Sequence, residues 1–97
     1  MTIWVIKKSV SRERNDGKFH LYPCNDIAVA ETHEAAIKKM HDDAEFYLTD
    51  TSFEGGRIIE ESDYLMKVIT KTAGRTHQQK KIVYNIVRHL TDENIFY

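Results

Sequence analysis

Two stretches in the C-terminal third alternate with a period of two, and they limit the possible folds more than any other feature. Along Tyr64–Thr72, the residues Tyr64, Met66, Val68 and Thr70 fall on one face, while Leu65, Lys67, Ile69 and Lys71 fall on the other. Along Lys80–Leu90, Ile82, Tyr84 and Ile86 share a face that ends at Arg88, and Val83, Asn85, Val87 and His89 share the opposite one. The polar segment between them, Ala73–Gln79, reads as a turn. The pattern predicts a hairpin with its aromatic and larger apolar side chains turned inward. Its other face mixes aliphatic and cationic residues.

The N-terminal half adds strands and one helix. TIWVIKKSVS (2–11) is rich in β-branched and aromatic residues and predicts a strand, with Ile3 and Val5 on one face and Trp4 and Ile6 on the other. Asp16-Gly17 is a turn signal, predicting a hairpin back into Phe19–Tyr22. Pro23 has no N–H to give a ladder, so that strand is expected to break there or lie at an edge, and Ile27–Ala30 to resume it or add a short strand. Thr32 is an N-cap candidate for the segment HEAAIKKMHDDAEFYL, where Ile37, Met40, Ala44, Tyr47 and Leu48 form an apolar stripe with Phe46 at its flank. Glu34, Lys38, Asp42 and Glu45 lie on the opposite side of that helix. Thr49–Arg57 reads as a loop ending in Gly55-Gly56, Ile58-Ile59 as a short strand, and Glu60–Asp63 as a polar break. The tail TDENIFY is expected to fray or to tuck in through Ile95 and Phe96.

These segments predict an α+β domain over residues 1–97 in β-β-α-β-β order: an antiparallel sheet of four to five strands with one helix packed on one face. One helix covers one face of such a sheet, so the other face is left to solvent or to a partner.

Charge is segregated along the chain. The formal net charge is −1, yet residues 31–63 carry ten acidic and three basic side chains, while residues 64–90 carry six basic and none acidic. Such a distribution bears on partners rather than on fold.

Several chemistries lack their residues. Cys24 is the only cysteine, so an intramolecular disulfide and an all-cysteine zinc site are both excluded. It reads as a small, half-buried residue. His33 and His41 lie eight positions apart, about two helical turns, too far along the axis to share an ion, so no metal or cofactor is expected. The chain holds no HExxH, GxSxG, P-loop, GxGxxG or CxxC motif, and no catalytic residue is assigned. The apolar run at the N-terminus is too short for a signal sequence or a membrane span, so a cytoplasmic setting is expected.

The basic hairpin invites a nucleic-acid reading, but nucleic-acid sheets set aromatic rings beside their cations for base stacking. Here Lys67, Lys71 and Lys81 share their face with Leu65, Ile69, Val83 and Val87, with Arg75 at the turn. That mixture fits a protein interface, a homodimer included, better than a phosphate track. An ordinary solvated face with a few aliphatics fits the same pattern. The candidate partner-binding residues are Lys67, Ile69, Lys71, Arg75, Lys81, Val83 and Val87 on the hairpin, and Glu34, Asp42 and Glu45 on the acidic side of the helix.

In length and layout, with the opening strand TIWVIKK, the segment IAVAETHEAAIKKM and the closing hairpin YLMKVITKT…KKIVYNIVRHL, the chain resembles small proteins of phages and mobile elements that act against bacterial defence, anti-CRISPR proteins among them. The resemblance implies a non-enzymatic inhibitor that docks on a bacterial defence protein or ribonucleoprotein complex in the host cytoplasm. It carries no motif, so it assigns no residue a role. The alternatives are a small nucleic-acid-binding protein using the basic hairpin, and an oligomeric sponge for a nucleotide signal.

Overall fold

The computed structural model describes residues 2–13, 18–21, 23–74 and 78–90. Its centre is the hairpin that the alternation predicts. Strand β6 (Gln79–Leu90) pairs antiparallel with β5 (Leu65–Thr72) on one side and with β1 (Thr2–Glu13) on the other. The buried face of the hairpin is Met66, Val68, Thr70, Ile82, Tyr84 and Ile86, in the expected alternation. Burying an aliphatic side chain of this size contributes about 1.5–3 kcal/mol.

On the far edge of β1 lie two short segments, β2 (Phe19–Leu21) opposite Ser11–Glu13 and β3 (Asn25–Ala30) opposite Trp4–Lys8. Pro23 stands between them, so β3 does resume an edge position that the proline interrupts. At the other edge, β4 (Phe53–Glu61) pairs with β5. The fold is thus α+β, an antiparallel sheet with one helix across one face, as expected.

The helix, α1 (His33–Thr49), begins where the sequence places it. Thr32 is extended, and its hydroxyl oxygen accepts from the Ala35 amide at 3.1 Å. At the other end the Asp50 carboxylate accepts from the Ser52 amide at 2.8 Å, which holds that carboxyl below its ordinary range and turns the chain toward β4. The buried face is Ala36, Met40, Ala44 and Tyr47, with Ile37 and Leu48 only half-buried at its flanks. Ala36 was outside the predicted stripe. Alanines at 36 and 44 let the helix axis approach the sheet, which rotates the face toward small residues and away from Ile37.

Gly55-Gly56 is where the expected loop is overturned. Phe53–Arg57 is strand, and the pairing skips from Glu54–Lys71 to Arg57–Ile69, so the glycines form a bulge inside β4. Gly55 has φ +67, and a Cβ on Gly56 would lie 2.6 Å from the Tyr47 carbonyl oxygen. The glycines therefore let the edge strand slide under the C-terminal turn of the helix, a role indistinguishable from a loop in sequence. A second irregularity at Ile59 carries β4 through Glu61, where a polar break was expected. Tyr64 precedes β5 and does not join its buried row; it is 53% exposed. The expectations for Asp16-Gly17, Tyr22, Arg75, Ile95 and Phe96 fall outside the described residues.

Candidate functional site

The helix leaves one face of the sheet open, and cross-strand register shows what that face carries. Directly paired residues share a face, so Val5 stands beside Val87 and Val29, Lys67 beside Val83, and Ile69 beside Lys81 and Arg57. Lys67, Ile69, Lys71, Lys81, Val83 and Val87 are brought together on this surface, as alternation predicted. Arg75 lies outside the described residues.

The open face has two unlike ends. At one, Ile3, Val5, Val29 and Val87 line a shallow hollow of about 390 Å³, rimmed by His89 and by the ion pair of Lys7 with Asp26 at 2.7 Å. Val29 is 51% exposed and Val87 40%, well above the residue burial expected of a settled aliphatic cluster. At the other end, a hollow of about 490 Å³ is lined by Glu54, Arg57, Ile69, Lys71 and Gln79. Lys67 is neutralised by Glu60 at 2.9 Å, and Lys71 stands opposite Glu54. No carboxylate among the described residues lies within ion-pair distance of Lys81 or Arg57. The net character of this end is therefore cationic. None of β1, β3, β4, β5 or β6 places an aromatic ring on this face, since Trp4, Phe53 and Tyr84 belong to the helix side.

The acidic candidates lie elsewhere. Glu34, Asp42 and Glu45 are exposed on the outer side of α1, with the whole sheet between them and the cations. Asp42 is bound by Lys38 one turn earlier at 2.8 Å. They form no common surface with the hairpin, because the acidic block is split between the helix and β4, where Glu60 and Glu61 reach Lys67 and His41 instead.

Under the helix sits a polar cluster that the sequence pattern did not suggest. The Tyr84 hydroxyl donates to Asp43 Oδ2 at 2.5 Å, and Lys8 Nζ lies 2.8 Å from the same oxygen. Lys8 also rests 4.6 Å from the centre of the Tyr47 ring. Burial pulls the Lys8 ammonium down, but its bonds to Asp43 and Tyr47 outweigh that and leave it raised; burial, then Asp43, pushes the Tyr84 phenol up. This cluster ties β1, β6 and α1 together.

At the opposite end of the helix, His33 is sandwiched between Trp4 and Tyr64, with ring centroids 4.5 and 4.6 Å away and near-parallel planes. Its Nε2 donates to the Asp63 carbonyl at 2.7 Å. Nothing local in the sequence links His33 to these rings, because its two partners are 29 residues before it and 31 after. Cys24, expected half-buried, is exposed beside Pro23. Among the described residues no three His, Cys, Asp or Glu side chains gather to hold a metal ion, and no helix is long and apolar enough to cross a membrane.

Comparison with protein-family models, curated proteins and solved structures finds no match to this chain.

Proposed function

We propose that the chain acts by binding, docking its open sheet face on the surface of a partner protein, and that this partner belongs to a bacterial defence complex. The observation that carries the docking reading is the make-up of the open face: an exposed aliphatic hollow at Ile3, Val5, Val29 and Val87, on the same face as the cationic end at Arg57 and Lys81. A fitting partner presents an apolar knob beside acidic side chains. Such a surface contributes affinity through the desolvated centre and orientation through the charged rim. The partner class comes from the resemblance in layout to anti-defence proteins. The absence of aromatic rings from this face of the described strands weighs against base stacking.

The test uses purified defence ribonucleoprotein complexes and the full chain, with binding measured by interferometry. Val87→Asp and Lys81→Glu are expected to weaken binding about tenfold or more each, by placing a charge in a dry centre or reversing the rim. Glu34→Lys, Asp42→Lys and Glu45→Lys are expected to leave it within about twofold. Equal loss from the helix variants would overturn the assignment of the surface. A dimer in light scattering that Val87→Asp dissolves would assign the face to a second copy instead. Salt-steep binding of DNA or RNA that Lys81→Glu removes would assign it to nucleic acid.

A further inference from the structure

The helix is shorter than the sheet it covers. Seventeen residues of α1 span about 25 Å, whereas the twelve residues of β1 span about 40 Å. The helix follows β1 from Trp4, beside His33, to Lys8, beside Asp43 and Tyr47. Beyond that point the helix no longer covers β1, and a cleft of about 510 Å³ opens among the described residues there, within the size range of small-molecule sites. It lies across the sheet from the docking face.

The lining of the cleft is chemically specific. Val10 and Ile27 supply an apolar floor, and Tyr47 closes the end toward the helix. Arg12 and Lys80 are direct register partners across β1 and β6, so two cations stand opposite each other on one face. Like charges in that arrangement destabilise a sheet. Lys8 is already held by Asp43, but no carboxylate among the described residues lies within ion-pair distance of Arg12 or Lys80. Lys80 makes its contact with an uncharged group, the Phe53 ring, 5.5 Å from the ring centre. Among the described residues the uncompensated charge is thus two, at the mouth of a cleft with an apolar floor.

We infer that this cleft binds a small organic phosphate monoester. A phosphate monoester carries about −1.5 to −2 charges at pH 7, which matches the Arg12–Lys80 pair, while a carboxylate supplies only one. The guanidinium can take two phosphate oxygens side by side and Lys80 a third. The organic group then lies on Val10 and Ile27, the part of the site that inorganic phosphate leaves empty.

The full chain, isotope-labelled, is titrated with phenyl phosphate at low salt and followed by amide chemical shifts, with inorganic phosphate and benzoate as comparisons. Phenyl phosphate is expected to bind more tightly than either, with shifts centred on Val10, Arg12, Ile27 and Lys80. Arg12→Gln and Lys80→Gln are each expected to weaken it about tenfold, the loss of one charge-assisted contact. Both variants are expected to unfold at the same or higher urea concentration than the parent, since each relieves the repulsion. Lys81→Gln, on the other face of the same strand, is expected to leave the affinity unchanged. No shift at millimolar phenyl phosphate, or the same affinity in the Arg12→Gln, Lys80→Gln double variant, overturns the site. Benzoate binding as tightly as phenyl phosphate overturns the phosphate assignment.

Discussion

Tyr84 on the central strand and Asp43 on the helix are joined by a hydrogen bond of 2.5 Å, and the same carboxylate oxygen receives Lys8 from the neighbouring strand. One acceptor thus fixes the position of three elements. Tyr84→Phe is expected to cost about 1.5 kcal/mol in urea denaturation, the range for a hydrogen bond to a charged group. Asp43→Ala is expected to cost more, because it leaves both Tyr84 and the largely buried Lys8 without their acceptor.

The same cluster sets an alkaline limit. Burial and Asp43 hold the Tyr84 phenol above its ordinary value of 10.0, and Lys8 is raised from 10.5. Above pH 10 the unfolded chain has given up protons that the folded chain keeps, so stability is full below that pH and falls as pH rises beyond it. Urea midpoints measured between pH 8 and pH 11 are expected to drop in that sense. The drop is expected to be shallower in Tyr84→Phe, which loses the share belonging to the phenol and keeps that of Lys8.

Gly56 and Gly55 are expected to respond differently to alanine. At Gly56 the new Cβ meets the Tyr47 carbonyl at 2.6 Å and the Leu48 Cα at 3.3 Å, both backbone atoms that cannot step aside alone. Gly56→Ala is expected to cost about 2–3 kcal/mol as the helix end and β4 separate. Gly55 has φ +67 and open space, so Gly55→Ala is expected to cost about 1 kcal/mol of backbone strain. Thermal unfolding of the two variants side by side measures the difference.

Trp4 is the only tryptophan, and its indole lies against His33 with an interplanar angle of 15°. His33→Ala removes the middle ring of the stack and its bond to the Asp63 carbonyl. The expected result is a red-shifted Trp4 emission maximum and a loss of about 1–2 kcal/mol, the sum of two ring contacts of ordinary strength. An unchanged emission maximum would mean that the stack does not persist in solution.

The open face is expected to be dispensable for folding. Val29 and Val87 are exposed, so Val29→Asp and Val87→Asp are expected to shift the urea midpoint only slightly while weakening docking about tenfold or more. A global loss of structure, seen by circular dichroism, would show instead that these valines belong to the core.

Much of the fold was legible from side-chain period. Met66, Val68, Ile82, Tyr84 and Ile86 were assigned to the buried face correctly, and with them the outward placement of Lys67, Lys71, Lys81, Val83 and Val87. The N-cap at Thr32 was legible because capping is a local interaction. The bulge at Gly55-Gly56 is not legible, because a glycine bulge and a glycine loop differ only in what the backbone approaches, here the Tyr47 carbonyl. Tyr64 departs from the alternation because it stands one residue before its strand begins.

By itself, then, the sequence determined which face of each strand a side chain takes and where the helix starts, since both follow from backbone geometry over a few residues. Only the tertiary structure decided which residues become neighbours. Val5 reaches Val87, Arg12 reaches Lys80, and Lys8 and Tyr84 converge on Asp43, because β1 pairs with a strand nearly eighty positions away and the helix lies over both. Period assigns a face without assigning the strand beside it. The aliphatic hollow, the paired cations and the polar cluster arise from that choice of neighbours.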